Sequence, residues 1–169
     1  RSFVQTHTEL AAALYAQAAR WVAALKPARL LDLYCGVGGF ALHCAPHAGV
    51  VIGREISAEA IASAQRSATE LGLSNARFEV ADASAAAAVA GAVDAILVNP
   101  PRRGIGVELC AAIEASPART LIYSSCNADS LAADLARLPS FEPLEAQVLD
   151  LFPHTAHFET LVLLQRHPA

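Results

Sequence analysis

The sequence predicts an α/β fold built on a doubly wound, mostly parallel sheet of seven strands. Short aliphatic runs alternate with segments of helical apolar spacing five times along the chain, which is typical of parallel sheets. The first run, residues 30–33, ends in a glycine turn at residues 36–39 that leads from a strand into a helix. The last two runs are joined by residues 153–157, too few for a crossover helix. The final strand is therefore predicted to be antiparallel.

Each predicted element follows from a local signal. Thr6-His7-Thr8-Glu9 matches a capping box, which predicts a helix from there to about Leu25. Ser57 is placed to cap another helix and Gly72 to close it. Residues 39–45 and 107–115 are also predicted to be helices, and residues 124–127 lead into a further helix that ends near Leu138. The alanine-rich residues 84–92 are predicted to be a helix or a connector. The predicted strands are residues 29–34, 50–55, 77–81, 94–98, 119–123, 147–152 and 158–165.

Composition limits the possible classes of protein. A length of 169 residues predicts one domain, 1–169. The mean hydropathy is +0.38, yet no apolar run is long enough to cross a bilayer and no signal peptide is visible, so we expect a cytoplasmic protein with no membrane partner. The chain starts at Arg1 and lacks methionine, so it is expected to come from a longer product. The net charge is −4, so the chain has no overall excess of positive charge of the kind that nucleic-acid-binding proteins carry.

The glycine turn indicates a cofactor loop at the carboxyl ends of the strands, where such sheets bind ligands. Its spacing is Gly-x-Gly-Gly from Gly36, which departs from the Gly-x-Gly-x-x-Gly of nicotinamide and flavin dinucleotide sites. Glu55 ends the second predicted strand, where a carboxylate can bind ribose hydroxyls. The alternative is a tight strand-to-helix turn with no ligand.

Cys126 is the candidate nucleophile. It follows the fifth strand and precedes a helix, whose N-terminal partial charge favours the thiolate. The alternative is a buried structural cysteine, which is the favoured interpretation for the other three, Cys35, Cys44 and Cys110. The four cysteines form no Cys-x-x-Cys pair, which argues against a zinc ribbon or a disulfide framework.

Two further residues are candidates for chemistry near Cys126. Glu159 begins the last strand and could serve as a general base, or it could be a half-exposed strand residue. Arg102, in Asn99-Pro100-Pro101-Arg102, stands where enzymes that methylate amino nitrogens place an aromatic ring. An arginine there could neutralise charge on a substrate oxygen, or only solvate a turn with Arg103. A metal at His154 and His157 is disfavoured, because no carboxylate or cysteine joins them at ligand spacing.

Five ordered motifs carry a resemblance to a known family. They are Ser2-Phe3-Val4-Gln5-Thr6, the segment from Asp32 to Phe40, Asn99-Pro100-Pro101-Arg102-Arg103-Gly104, Ser124-Ser125-Cys126-Asn127, and the segment from Phe152 to Glu159. Over nearly its whole length the chain resembles the S-adenosylmethionine-dependent RNA uracil-5-methyltransferases. Asparagine at the head of the third motif is most similar to the subgroup that makes 5-methyluridine at position 747 of bacterial 23S ribosomal RNA.

The resemblance implies a Rossmann-like methyltransferase sheet and a role for each motif residue. The implied contacts to S-adenosylmethionine are Gln5, Tyr34, Gly36, Glu55 and Asn99, with Asp82 near the adenine. Cys126 would be the nucleophile and Glu159 the base, while Phe3 and Arg102 would face the uracil. His7 and Arg54 depart from the usual family residues.

The resemblance also implies what surrounds this chain. The partner would be 23S ribosomal RNA, with no obligate protein partner evident. An iron-sulfur cluster is implied only for an N-terminal part that relatives carry, and none of its cysteines is in this chain. Two other functions stay open at this point. They are an amino-nitrogen methyltransferase, which needs no cysteine, and a non-catalytic module that binds the cofactor and docks on a partner.

Overall fold

The computed structural model describes residues 3–89, 91–150 and 158–169, without the side chains of residues 3–7. The helices are α1 (Phe3–Leu25), α2 (Gly39–Cys44), α3 (Ala58–Glu70), α4 (Gly106–Ala115) and α5 (Ala128–Ala136). The strands are β1 (Arg29–Leu33), β2 (Val50–Glu55), β3 (Ala76–Val80), β4 (Ala95–Val98), β5 (Thr120–Ser125), β6 (Phe141–Leu149) and β7 (Glu159–Arg166). They form one sheet in the order β3-β2-β1-β4-β5-β7-β6, in which β7 runs antiparallel to both neighbours. The predicted fold class is confirmed.

The central strands are buried on both faces. On β1, Leu31 and Leu33 pack in one apolar layer with α4 and α5, whereas Leu30 packs in the other with α1, α2 and α3. On β4, Ile96 packs in the layer with α4 and α5, and Leu97 packs in the layer with α1, α2 and α3. Because both faces need apolar side chains, β4 is a continuous aliphatic run, and the buried part of β1 departs from one only at Asp32.

The first residues of two elements differ from the prediction by more than two positions, α1 and β6. Helix α1 begins at Phe3, ahead of the predicted capping box, because no glycine or proline precedes Thr6 to prevent an earlier start. Strand β6 begins at Phe141 rather than Gln147. Its first half contains Pro143 and a register shift at Pro143 and Glu145, and an edge strand tolerates both. The predicted link through His154 and His157 lies outside the described residues.

The sheet reverses its strand order between β1 and β4, and this is where doubly wound sheets form a ligand crevice. Strands β2 and β3 extend from one side of β1, and β4 and β5 extend from the other. The parallel strands β1 and β4 pair their last residues, Leu33 and Val98. Tyr34 and Asn99 therefore leave the sheet side by side at the mouth of the crevice.

Asp32 is a carboxyl group inside the core, and its burial predicts a specific pH dependence of stability. It is 1% exposed on β1, and burial raises its pKa from 3.8 to about 8 although the Ala41 amide opposes this. The folded chain thus keeps a proton that the unfolded chain loses. This contribution to stability is fully present below about pH 4 and is lost as the pH rises through 8.

The matched variant is Asp32→Asn, which is neutral at every pH. Between pH 5 and 8 we expect the free energy of unfolding of the wild type to fall relative to the variant by about 1 kcal/mol per pH unit. Urea unfolding followed by the fluorescence of the single tryptophan, Trp21, measures this difference. A gap between the two proteins that does not change with pH would show that Asp32 is ionised in the folded chain.

Candidate active site

A cavity of about 340 Å³ lies in the crevice at the carboxyl ends of β1, β2, β3 and β4. Four residues predicted to contact a cofactor line it together: Tyr34, Glu55, Asp82 and Asn99. Ile56, Ala83, Pro101 and Arg103 complete the wall. The volume is within the range of small-molecule sites, and we name this space the cofactor cavity.

Glu55 is fixed in the wall of the cofactor cavity by two backbone amides. The Gly36 N–H donates to Oε1 at 3.3 Å, and the Ser57 N–H donates to Oε2 at 2.8 Å. Gly36 has a φ of +55°, a left-handed conformation that glycine adopts without a steric penalty. The glycine turn therefore orients the carboxylate, and each oxygen keeps a lone pair for a ligand hydroxyl.

Tyr34 presents a free hydroxyl beside the same cavity. Its Oη is buried and has no hydrogen-bond partner among the described residues. Burial raises the pKa of Tyr34, with Arg103 opposing this and Asp82 adding to it, so the phenol keeps its proton. A buried hydroxyl without a partner is costly, and a polar ligand in this cavity would satisfy it.

Asp82 lies just beyond the end of β3 and is held by its own turn. The Ser84 hydroxyl and amide donate to Oδ1 at 2.6 and 3.0 Å. These bonds, and Arg103 to a lesser degree, lower the pKa of Asp82. The carboxylate is therefore a fixed negative charge at one end of the cofactor cavity.

A second, smaller cavity of about 140 Å³ adjoins the first. Asn99 lines both cavities, and Glu159 lines the second. The remaining wall is largely apolar and consists of Leu10, Ala11, Leu14, Tyr15 and Phe40. Burial raises the pKa of Glu159 from 4.5 to about 7, so this carboxyl exchanges its proton near neutral pH.

The register of the sheet brings Cys126 and Glu159 to the same level. Strands β5 and β7 are antiparallel and pair Ser125 with Thr160. Cys126, which follows Ser125, therefore lies opposite Glu159, which precedes Thr160. The prediction that both lie at one edge of the sheet is confirmed. The Asn127 side chain caps α5 by accepting hydrogen bonds from the amides of Asp129 and Ser130, so Cys126 lies directly before a helix N-terminus.

Cys126 differs from the other three cysteines in its exposure. Cys35, Cys44 and Cys110 are buried, whereas Cys126 is partly exposed. Burial raises the pKa of Cys35, and that of Cys44 and Cys110 to about 12. These three remain protonated and inaccessible, which agrees with their predicted structural role.

Arg102 lies in the loop between β4 and α4, and α5 holds that loop. The side chains of Arg102 and Arg103 are exposed, and Arg103 also lines the cofactor cavity. The Ser130 hydroxyl donates to the carbonyl of Arg102 at 2.7 Å. The loop is thus attached to the helix that follows Cys126.

Some predicted site residues lie outside what the structure describes. These are the side chains of Phe3 and Gln5; His154 and His157, at which a metal was disfavoured, also lie outside the described residues. Within the described ranges, no group of three or more His, Cys, Asp or Glu side chains could hold a metal ion. In those same ranges, every helix is too short or too polar to cross a membrane.

Sequence reasoning missed Asp134, which is 1% exposed beneath the Arg102 loop. Ile105 N–H and Gly106 N–H both donate to its carboxylate. The signal was available, because Asp134 follows the buried Leu131 by three residues and therefore lies on the same face of α5. A carboxylate at such a position must find partners inside the fold.

Comparison with known proteins identifies relatives of the chain by sequence. The family described as tRNA (uracil-5-)-methyltransferase matches residues 90–167, and a general methyltransferase domain matches residues 30–103. The 23S rRNA (uracil(747)-C(5))-methyltransferase RlmC of Halothiobacillus neapolitanus is 55% identical over 98% of this chain and 45% of its own length. The enzyme of the same name from Vibrio vulnificus strain CMCP6 is 54% identical over 98% of this chain and 44% of its own length. The chain thus spans less than half the length of these relatives.

Solved structures of methyltransferases are also similar to this chain. The tRNA (uracil-54, C5)-methyltransferase of Pyrococcus abyssi, in complex with S-adenosyl-L-homocysteine, superposes with a TM-score of 0.76 at 30% identity, covering 88% of this chain and 38% of that one. The magnesium protoporphyrin IX methyltransferase of Synechocystis, with bound S-adenosylmethionine, superposes with a TM-score of 0.74 at 19% identity, covering 99% of this chain and 85% of that one. The second similarity shows the fold alone. From its sequence relatives, and from the sheet that it shares with the Pyrococcus abyssi enzyme, the chain belongs to the RNA uracil-5-methyltransferase family.

Proposed function

We propose that this chain is the catalytic domain, residues 1–169, of a longer protein that methylates C5 of a uridine in 23S ribosomal RNA. The uridine named for its relatives, position 747, is the proposed target. The observation that carries the proposal is the register of β5 and β7, which sets Cys126 opposite Glu159. Beside Glu159, the small cavity meets the cofactor cavity at Asn99.

S-adenosylmethionine is the proposed cofactor, and the chemistry that it supplies is an electrophilic methyl group. The cofactor cavity fits it, because the Tyr34 hydroxyl has no partner among the described residues and Glu55 keeps lone pairs for ribose hydroxyls. Gln5, Gly36 and Asn99 are proposed as further contacts, and Asp82 is proposed to lie near the adenine. We propose no metal for this domain.

Cys126 is proposed to activate the uracil. Carbon C5 of uracil is a poor nucleophile until a thiolate adds to C6, which breaks the C5–C6 double bond and moves the electron pair toward O4. Cys126 is partly exposed and lies directly before the N-terminus of α5. Arg102 is proposed to stabilise the resulting enolate oxygen, and Phe3 to face the ring.

Glu159 is proposed to complete the reaction. After C5 has accepted the methyl group it still carries its proton, and the adduct cannot release Cys126 until that proton leaves. The Glu159 carboxylate takes the proton, the C5–C6 double bond re-forms and the thiolate departs. A pKa of about 7 suits this role, because about half of the Glu159 carboxyl groups are ionised at neutral pH and the carboxylate is more basic than that of an exposed glutamate.

RNA is the proposed partner although the chain carries a net charge of −4. The uridine must be unpaired or flipped for Cys126 to reach C6, and surfaces elsewhere in the full-length protein are proposed to contribute the positive charge that RNA binding needs. An iron-sulfur cluster is proposed only for that other part. A ribosomal RNA substrate also places the proposed activity in the cytoplasm.

The proposed function is tested by incubating the full-length protein with labelled S-adenosylmethionine and a 23S RNA hairpin containing uridine 747. We expect the label to appear in this hairpin and not in one whose target uridine is replaced by cytidine. Equal labelling of both hairpins would contradict the choice of nucleotide. Cofactor binding without any labelling of RNA would favour the non-catalytic module.

A further inference from the structure

The buried carboxylate of Asp134 joins three parts of the fold. It lies on α5 and is 1% exposed. Oδ2 accepts the Ile105 N–H at 2.8 Å and the Tyr123 hydroxyl at 2.5 Å, and Oδ1 accepts the Gly106 N–H at 3.2 Å. Ile105 and Gly106 end the Arg102 loop and begin α4, whereas Tyr123 lies on β5. One side chain therefore connects the loop, the strand that leads to Cys126 and the helix that follows Cys126.

The carboxylate is well matched to the end of the loop. The first amides of a helix have no partner within that helix, and a negative group there is favoured by the helix dipole. Ile105, the residue that caps α4, has no side chain that could accept those bonds. Asp134 satisfies these amides from a neighbouring helix, so α4 and the loop before it are held at a fixed position relative to α5.

Gly104 shows how closely the loop approaches Asp134. Its φ is +80°, and a Cβ atom built there would contact Oδ2 of Asp134. The Ser130 hydroxyl donates to the Arg102 carbonyl at 2.7 Å, one turn of α5 before Asp134. The loop is thus attached to α5 at two points on either side of Gly104.

We propose that Asp134 is a positioning residue that fixes the distance between Arg102 and Cys126 by attaching the Arg102 loop to α5. This inference rests on the proposed function. There, Cys126 adds to C6 of the same ring whose oxygen Arg102 stabilises, so the two groups must be placed together. Displacements of about 1 Å between such groups can slow a reaction by about a hundredfold.

The test variant is Asp134→Asn in the full-length protein. An asparagine of the same shape has one acceptor oxygen and one amide that only donates. In the position of the carboxylate it can accept from only one of the two loop amides, and its own NH2 group faces the other, so one of the two bonds that hold the end of the loop to α5 is lost. The matched control is Tyr123→Phe, which removes the 2.5 Å hydrogen bond to the same carboxylate but leaves both loop amides bonded.

The readout is the rate of covalent adduct formation between protein and a 23S hairpin with 5-fluorouridine at position 747, in the presence of S-adenosylmethionine. Fluorine cannot leave C5 as a cation, so the adduct persists and is counted on a denaturing gel. We expect Asp134→Asn to slow adduct formation at least tenfold, with the dissociation constant of the cofactor changed less than twofold. Tyr123→Phe should stay within threefold of the wild type.

A second variant keeps the test informative if Asp134→Asn does not fold. Ser130→Ala removes the other attachment from a partly exposed position, and we expect it to slow adduct formation at least threefold with unchanged cofactor affinity. Equal slowing by Asp134→Asn and Tyr123→Phe, in step with their loss of thermal stability, would overturn the proposal and assign Asp134 to folding alone. Undiminished rates in both Asp134→Asn and Ser130→Ala would overturn it as well. Absence of any adduct with the wild type would instead be a failure of the proposed function.

Discussion

Replacing Cys126 with alanine should abolish methyl transfer to RNA and leave the binding of S-adenosylmethionine intact. Without the thiolate no adduct forms at C6, so C5 stays a poor nucleophile. The loss should be on the order of 10³-fold or more, as for other covalent nucleophiles. Cofactor affinity should not change, because the cofactor cavity is lined by Tyr34, Glu55, Asp82 and Asn99 rather than by Cys126.

Single-turnover methyl transfer and equilibrium cofactor binding, measured on the same preparations of full-length protein, test this prediction. Cys44→Ala is the matched control, because it removes a buried thiol of α2 away from β5, and it should transfer methyl groups at the wild-type rate. Undiminished transfer by Cys126→Ala would exclude a covalent mechanism. That outcome would favour methylation of an amino nitrogen, which requires no cysteine.

Replacing Glu159 with glutamine should trap the methylated adduct between Cys126 and RNA. Glutamine has similar size and shape, but it cannot take the proton from C5. The steps before proton removal would proceed, whereas release of product would fall by a factor of about 10² to 10⁴, the range for general base catalysis. The expected sign is an accumulated protein–RNA complex that contains one methyl group and survives denaturation. Release of product at the normal rate would remove Glu159 from the role of base.

The pH dependence of the wild type gives an independent check on Glu159. Burial raises the pKa of its carboxyl group to about 7, so below pH 7 the fraction that can accept a proton falls about tenfold per pH unit. When release of the adduct is measured in single turnovers, its rate should rise with pH and level off above about 7. A rate that is flat from pH 5 to 8 would show that Glu159 is ionised throughout this range.

The central sheet could be predicted from sequence because its strands are buried on both faces. Strands β1, β2, β4 and β5 each contain at least two consecutive buried apolar residues, and polar or glycine residues at or just after the end of each strand mark its carboxyl end. Parallel strands place those ends at one edge. The grouping of Tyr34, Glu55, Asp82 and Asn99 around one cavity follows from this rule.

Strand β6 was predicted to be shorter because most of it is exposed. Seven consecutive positions from Glu142 to Val148 are exposed, so no apolar pattern marks them as a strand. What holds them is their pairing with β7, a contact between separate segments that local sequence does not encode. Pro143 adds a signal that usually ends strands, although edge strands tolerate it.

The supporting contacts of the site were not predictable for a related reason. Helical spacing could have shown that Asp134 is buried, but not what it binds, because its partners are backbone amides such as that of Ile105, 29 residues away, which carry no sequence signature. The unpartnered hydroxyl of Tyr34 and the raised pKa of Glu159 likewise depend on burial by distant segments. Sequence predicts which polar residues reach the sheet edge, whereas their protonation and mutual support require the packed structure.

The most direct test of the account is release of tritium from a 23S hairpin labelled at C5 of uridine 747, measured together with methyl transfer by the full-length protein. One tritium should enter water for every methyl group transferred, and both signals should disappear in Cys126→Ala. Methyl transfer without release of tritium would place the methyl group on another atom, and this result would contradict the assignment of Cys126 and Glu159 as nucleophile and base.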